Sequence, residues 1–158
     1  MQTLYPELMS DTASQPNVVA DPLFNLSLEK GLAALSAFGA GHRFLTLGEL
    51  AEQTGMSKAS AQRTVHTLQV LGYVGKHSQT RRFHLLPKVM EIGFNYVAAH
   101  PLIQAAHPYM AQLAEASGES ASLTEAVDLD MVYVSQLMTS KFIPMLTPVG
   151  MRIPMYCT

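Results

Sequence analysis

Cysteine is nearly absent: Cys157 is the single one in 158 residues, and tryptophan is missing altogether. A lone thiol has no partner within the chain, so a disulfide-stapled secreted fold is excluded and a reducing compartment is expected. Long apolar runs are lacking as well. No stretch approaches the ~18 to 20 residues that cross a bilayer, and no basic-then-apolar leader opens the chain, which predicts a soluble cytoplasmic protein without a membrane partner. Charged side chains make up only 14% of residues and sum to a formal −2, too little to direct binding by itself. At ~100 to 150 residues per typical domain, the length allows one domain, or one small domain with part of another.

What charge there is lies unevenly. Residues 40–90 hold seven basic side chains (Arg43, Lys58, Arg63, Lys76, Arg81, Arg82, Lys88) against Glu49 and Glu52, a balance of +5, whereas the rest of the chain balances at −7. A basic module joined to acidic surroundings is one that can approach a polyanion. From charge alone, a chance cluster on a solvated face is an equal alternative.

The order of elements around these cations is more specific. Residues 1–22 mix Ser, Asp, Asn, Gln and Pro without apolar periodicity and read as a flexible arm. From Ser27, which can cap a helix, Leu28, Leu32 and Leu35 recur at helical spacing until Gly39 and Gly41 end the pattern. Thr46 and Glu49, three apart, form a capping-box signature ahead of Leu47, Leu50 and Ala51. Gly55 supplies a turn with Met56 beneath it, and Ser57 caps a third helix running to about Leu71. Two short helices joined through such a turn outline a helix-turn-helix.

On a helical wheel the third helix buries Ala61, Val65 and Leu68 and turns Ser60, Arg63 and Thr67 outward, with Lys58, Gln62 and His66 at the border. Arg and Gln can pair with guanine and adenine edges in a major groove, so Ser60, Gln62, Arg63 and Thr67 are the expected base readers, with His66 facing DNA or solvent. Next, residues 73–76 read as a strand, 77–80 as a polar turn and 81–85 as a returning strand with Phe83 and Leu85 on one side. This is a wing. Its Lys76, Arg81 and Arg82, with Ser57 and Lys58 at the helix start, are expected to position the sugar–phosphate backbone. In a symmetric dimer the two reading helices would meet half-sites ~34 Å apart, or a multiple of it.

Other chemistries find little support. No motif surrounds Cys157 with a histidine and an acid, so neither a nucleophile nor any enzyme is expected. The six histidines include no pair at ligand spacing and have no cysteine pair beside them, so no metal and no cofactor are expected. A winged helix that mediates protein contacts, its cations serving only solubility, is the alternative from another class.

Several segments together resemble the IclR-type bacterial transcriptional regulators. These are residues 27–32 (SLEKGL), 47–51 (LGELA) before Gly55-Met56-Ser57, 60–63 (SAQR) leading to Thr67-Leu68 and 71–74 (LGYV), then 118–122 (GESAS) and 150–158 (GMRIPMYCT). The resemblance runs from about residue 24 onward. Residues 83–87 (FHLLP) depart from the commoner Tyr-x-Leu-Gly wing ending and look like the branch governing aromatic-acid catabolism, such as protocatechuate and 4-hydroxybenzoate pathway regulators. The resemblance implies an α+β protein: a winged helix-turn-helix, a linker helix, and the first part of an α/β, GAF-like effector-binding domain. It implies a homodimer or tetramer on double-stranded operator DNA, and a small-molecule effector for the complete protein.

The remaining pattern fits that frame. A stripe of Val89, Ile92, Gly93, Tyr96 and Val97 between Pro87 and Pro101 reads as a linker helix that must bury its apolar side on a second subunit or on the body. A further stripe of Ile103, Tyr109, Met110, Leu113 and Ala114 ends near Gly118. Alternation over 120–125, an Asp128-Leu129-Asp130 turn and residues 131–135 (MVYVS) predict two strands of an antiparallel sheet. The expected organisation is an arm at 1–22, a DNA-binding domain at 23–86, a linker with the first sensor helix at 87–117, and an incomplete effector-binding domain at 118–158. A segment of ~40 residues seldom folds unaided, so the chain reads as cut off within its sensor, with residues 131–158 presenting apolar surface that lacks its cover.

Overall fold

Short polar side chains set the helix starts. In the computed structural model, which describes residues 21–39, 41–138 and 148–157, Asn25 accepts hydrogen bonds from the Ser27 and Leu28 amides and begins α1 (Leu26–Ser36). The predicted cap at Ser27 therefore lies two residues too late. The reason is that Asn25 sits in extended backbone, where its side chain reaches the free amides of the first turn. Thr46 caps α2 (Leu47–Thr54) in the predicted reciprocal box with Glu49, and Gly55 closes that helix at φ +65°, where a side chain would be strained. Ser57 caps α3 (Lys58–Val70) by accepting from the Ser60 amide.

Strands β1 (Val74–Lys76) and β2 (Phe83–Leu85) pair antiparallel, Lys76 opposite Phe83, and make the wing. Its turn is closed by the His77 amide donating to the Arg82 carbonyl at 2.8 Å and the Arg81 amide donating to the His77 carbonyl at 3.0 Å, with Arg81 left-handed at φ +57°. The helices and wing enclose one core of Ala34, Phe38, Leu45, Leu50, Val65, Leu68, Val74 and Phe83, with Met56 packed at its edge as expected. Leu45 and Phe83 exchange both backbone hydrogen bonds, at 3.0 and 2.7 Å, which staples the wing to the approach of α2.

The chain divides into two compact units, residues 1–90 and 91–158. The boundary falls near the start of the 87–117 segment, which the sequence reads as a linker helix followed by the first sensor helix. Pro87–Val89 form a 3-10 turn held on the first unit, where Lys88 Nζ donates to the Leu71 carbonyl at 3.0 Å. Helix α4 (Met90–Ala99) begins at the boundary residue, and the second unit continues with α5 (Pro101–Ser117) and an antiparallel sheet of β3 (Ala121–Val127), β4 (Asp130–Leu137) and β5 (Arg152–Pro154), in that order. The first two strands match the expected pair. Strand β5 has no counterpart in the sequence reading, being three residues long with a proline at its end. It is held to β4 by Arg152, whose Nη2 lies 2.9 Å from Asp130 Oδ2.

Helix α5 packs on the sheet through Met110 and Ala114 against Ala121, but Tyr109 and Leu113 of its predicted stripe are exposed. That stripe is wider than the face one three-stranded sheet covers. Helix α4 has no buried residue at all. Its Tyr96 hydroxyl donates to Glu125 of β3, and His100 Nε2 stands 3.4 Å from the same carboxylate. Accepting that bond makes Glu125 the main cause, with burial adding, of a Tyr96 phenol pushed up to about 12. Of the apolar surface expected beyond residue 131, Met138, Val149, Met151, Met155 and Tyr156 are exposed; residues 139–147, the arm up to residue 20 and the Cys157 side chain lie outside the described set.

Candidate nucleic-acid interface

Helix α3 shows why the chain places polar side chains where it does. Ala61, Val65 and Leu68 are buried, and the opposite surface carries Lys58, Gln62, Arg63, His66 and Thr67, all exposed. Lys58, Arg63 and His66 form no hydrogen bond or ion pair with a described residue, so their donors are available to a ligand. The Thr67 hydroxyl donates back to the Arg63 carbonyl at 3.0 Å, and Ser60 is half-buried. Ser57 faces solvent, with its hydroxyl oxygen engaged as the helix cap.

Two concave surfaces refine this picture. A shallow depression is lined by Ala59, Gln62, Arg63 and His66. A deeper cleft of about 560 Å³ runs between α3 and the wing, with Gln62, His66 and Gln69 on the helix side and Lys76, Thr80 and Arg81 on the wing side. Gln62 and His66 belong to both. Of the predicted reading face, Gln62 and His66 turn toward the wing and Arg63 lines the shallow hollow beside them, whereas Ser60 and Thr67 line neither. Gln69 and Thr80 are absent from the sequence-based set. Gln69 lies three residues beyond His66 on the same ridge, a spacing that the sequence does contain.

The wing cations divide by role. Arg81 is exposed on the cleft, and the ammonium of the exposed Lys76 stands 5.3 Å over the Phe83 ring, a cation–π contact that steadies it beside the cleft. Arg82 does something else: Nη1 donates to the Phe44 carbonyl at 3.1 Å and Nη2 lies 3.5 Å from Glu49 Oε1. Expected as a backbone contact, it braces the wing against α2, with part of its charge already countered.

Glu49 in turn holds the helix start, its Oε2 accepting from the Thr46 amide at 2.6 Å. The Thr46 bonds first, then Arg82 and His42, hold its carboxyl below the usual 4.5. A depressed folded value means that this contribution is complete above the unfolded value and is lost as pH falls through the folded one. Thermal melts below pH 4.5 should therefore show the parent losing stability, while Glu49→Gln, which has no proton to take up, follows a flatter acid limb. Parallel acid limbs would refute the assignment.

Residues 27–78 match the IclR helix-turn-helix domain, and residues 94–158 match the bacterial transcriptional regulator IclR C-terminal domain. The chain is 35% identical over 139 residues to the Pca regulon regulatory protein of Pseudomonas putida, covering 87% of this chain and 47% of that one. It is 29% identical over 136 residues to the p-hydroxybenzoate hydroxylase transcriptional activator of Acinetobacter baylyi, covering 83% and 49%. An IclR family transcriptional regulator from Brucella abortus superposes with a TM-score of 0.74 at 25% identity, covering 85% of this chain and 50% of that one. The chain thus spans about half the length of the curated relatives it matches. With its helix-turn-helix matched over 27–78 and its C-terminal region over 94–158, the chain belongs to the IclR family of bacterial transcriptional regulators.

Proposed function

We propose that this chain binds operator DNA sequence-specifically as a transcriptional regulator, and that it has no catalytic role. The observation that carries the reading is the surface around Arg63: exposed donors on a capped helix, unused within the first unit, beside a wing that offers Lys76 and Arg81. Gln62, Arg63 and His66 read base edges in the major groove. Ser60 and Thr67 stand at the margin of that face. Lys58, Lys76 and Arg81 meet phosphates, with Ser57 holding the start of α3 and Arg82 holding the wing in place.

The protein works in the cytoplasm as a homodimer or tetramer. Helix α4, bare of cover in its own unit with Met90, Ile92 and Phe94 exposed, supplies apolar surface for a second subunit. The effector is a small aromatic acid, a reading supported by the two curated relatives, named for the Pca regulon and for p-hydroxybenzoate hydroxylase.

Fluorescence anisotropy of the chain on labelled duplexes, at several salt concentrations, tests the DNA reading. Affinity should fall steeply with salt, and Arg81→Asn, which tolerates the left-handed backbone but lacks the charge, should flatten the log–log slope by about one. Affinity indifferent to salt would refute it and leave a winged helix that mediates protein contacts.

A further inference from the structure

The cleft between α3 and the wing has a construction that its cations alone do not explain. Gln62, His66 and Gln69 follow one another at intervals of four and three, so they stand in a single ridge along the helix. The rest of the lining is Lys76, Thr80 and Arg81 of the wing, Thr46, Leu47 and Gly48 at the start of α2, and the buried Val65 and Phe83. At ~1.5 Å per residue the ridge is about 10 Å long, equal to about three base-pair steps of ~3.4 Å measured along a duplex axis. Beyond the expected base readers, each side also carries a neutral donor, Gln69 on the helix and Thr80 on the wing. The Gln69 side chain has no hydrogen bond to a described residue, and Thr80 Oγ accepts from the Arg82 amide at 3.5 Å, which leaves its hydroxyl hydrogen free to donate.

We propose that the Gln69 end of this cleft holds the sugar–phosphate backbone of one DNA strand, that Gln69 and Thr80 donate to its phosphates from the helix and wing sides as positioning contacts, and that Gln62 and His66, nearer the start of α3, stay with the bases. The inference rests on the DNA-binding reading and adds two residues to it. A donor without charge releases no counterion, so its loss lowers affinity by the same factor at every salt concentration, whereas loss of a cation also changes the slope.

The test uses the full chain and a labelled random-sequence duplex, with melting curves to show that each variant is folded. Gln69→Leu and Thr80→Val should each weaken binding about tenfold with the salt slope unchanged. Thr80→Ser, which keeps the hydroxyl, should bind like the parent, separating hydrogen bonding from wing shape. Lys76→Gln should flatten the slope by about one. Parent-like binding by both neutral variants beside a flattened Lys76→Gln overturns these phosphate contacts and leaves the DNA reading intact. A slope change in Gln69→Leu overturns the neutral-donor role, and a parent chain that binds no duplex overturns both readings.

Discussion

Arg63→Ala should cost about 1 to 3 kcal/mol of affinity for the preferred operator, roughly 5- to 150-fold, and should relax discrimination at a single base pair. The magnitude follows from where Arg63 stands. Its guanidinium is exposed, lines the shallow hollow with Gln62 and His66, and has no described partner to release before it meets a base. The loss is therefore the contact itself, with no internal rearrangement to offset it. Titrations against the preferred site and its single-base-pair variants check this. Arg63 is also a cation, so random duplex should lose some affinity and some salt slope. Specificity resides in the excess loss on the preferred site, and equal losses on both duplexes would make Arg63 a phosphate contact.

Leu50→Ala should destabilise the DNA-binding unit by about 2 to 5 kcal/mol. Leu50 is fully buried in a core that also draws on α1, α3, β1 and β2, and a close-packed interior relaxes only partly around a cavity. Against a whole-domain stability of ~5 to 15 kcal/mol, such a loss is a large fraction. Denaturant unfolding should show a lower midpoint with an unchanged slope. Leu32→Ala is the control: that side chain is 54% exposed, and its loss should change stability far less. Similar losses for the two would mean that α1 is covered in solution by something beyond its own unit.

The DNA-binding unit is legible wherever local chemistry decides. Thr46 with Glu49, Gly55 and Ser57 are read correctly because capping and left-handed turns involve groups only two or three residues apart. The same logic misplaces the start of α1, since Asn25 and Ser27 are both good caps and only the backbone angle chooses between them. Arg82 shows the limit for site residues. Its partners lie 38 and 33 residues away at Phe44 and Glu49, and no spacing rule announces them. Gln69 could be found by extending the ridge from Gln62 and His66; Thr80 could not, because its place on the cleft depends on how the wing folds back. In the second unit, β5 escapes notice because three residues carry no period, and its pairing with β4 is decided by tertiary contact.

The double staple between Leu45 and Phe83, with the Arg82 brace beside it, bears on how such a regulator is controlled. A wing fastened to its own helices at both backbone and side-chain level has no independent hinge, so grip and readout cannot be loosened one without the other. In the proposed dimer with a small-acid effector, control would then act on the spacing of the two DNA-binding units, altering whether both fit the same stretch of duplex at once.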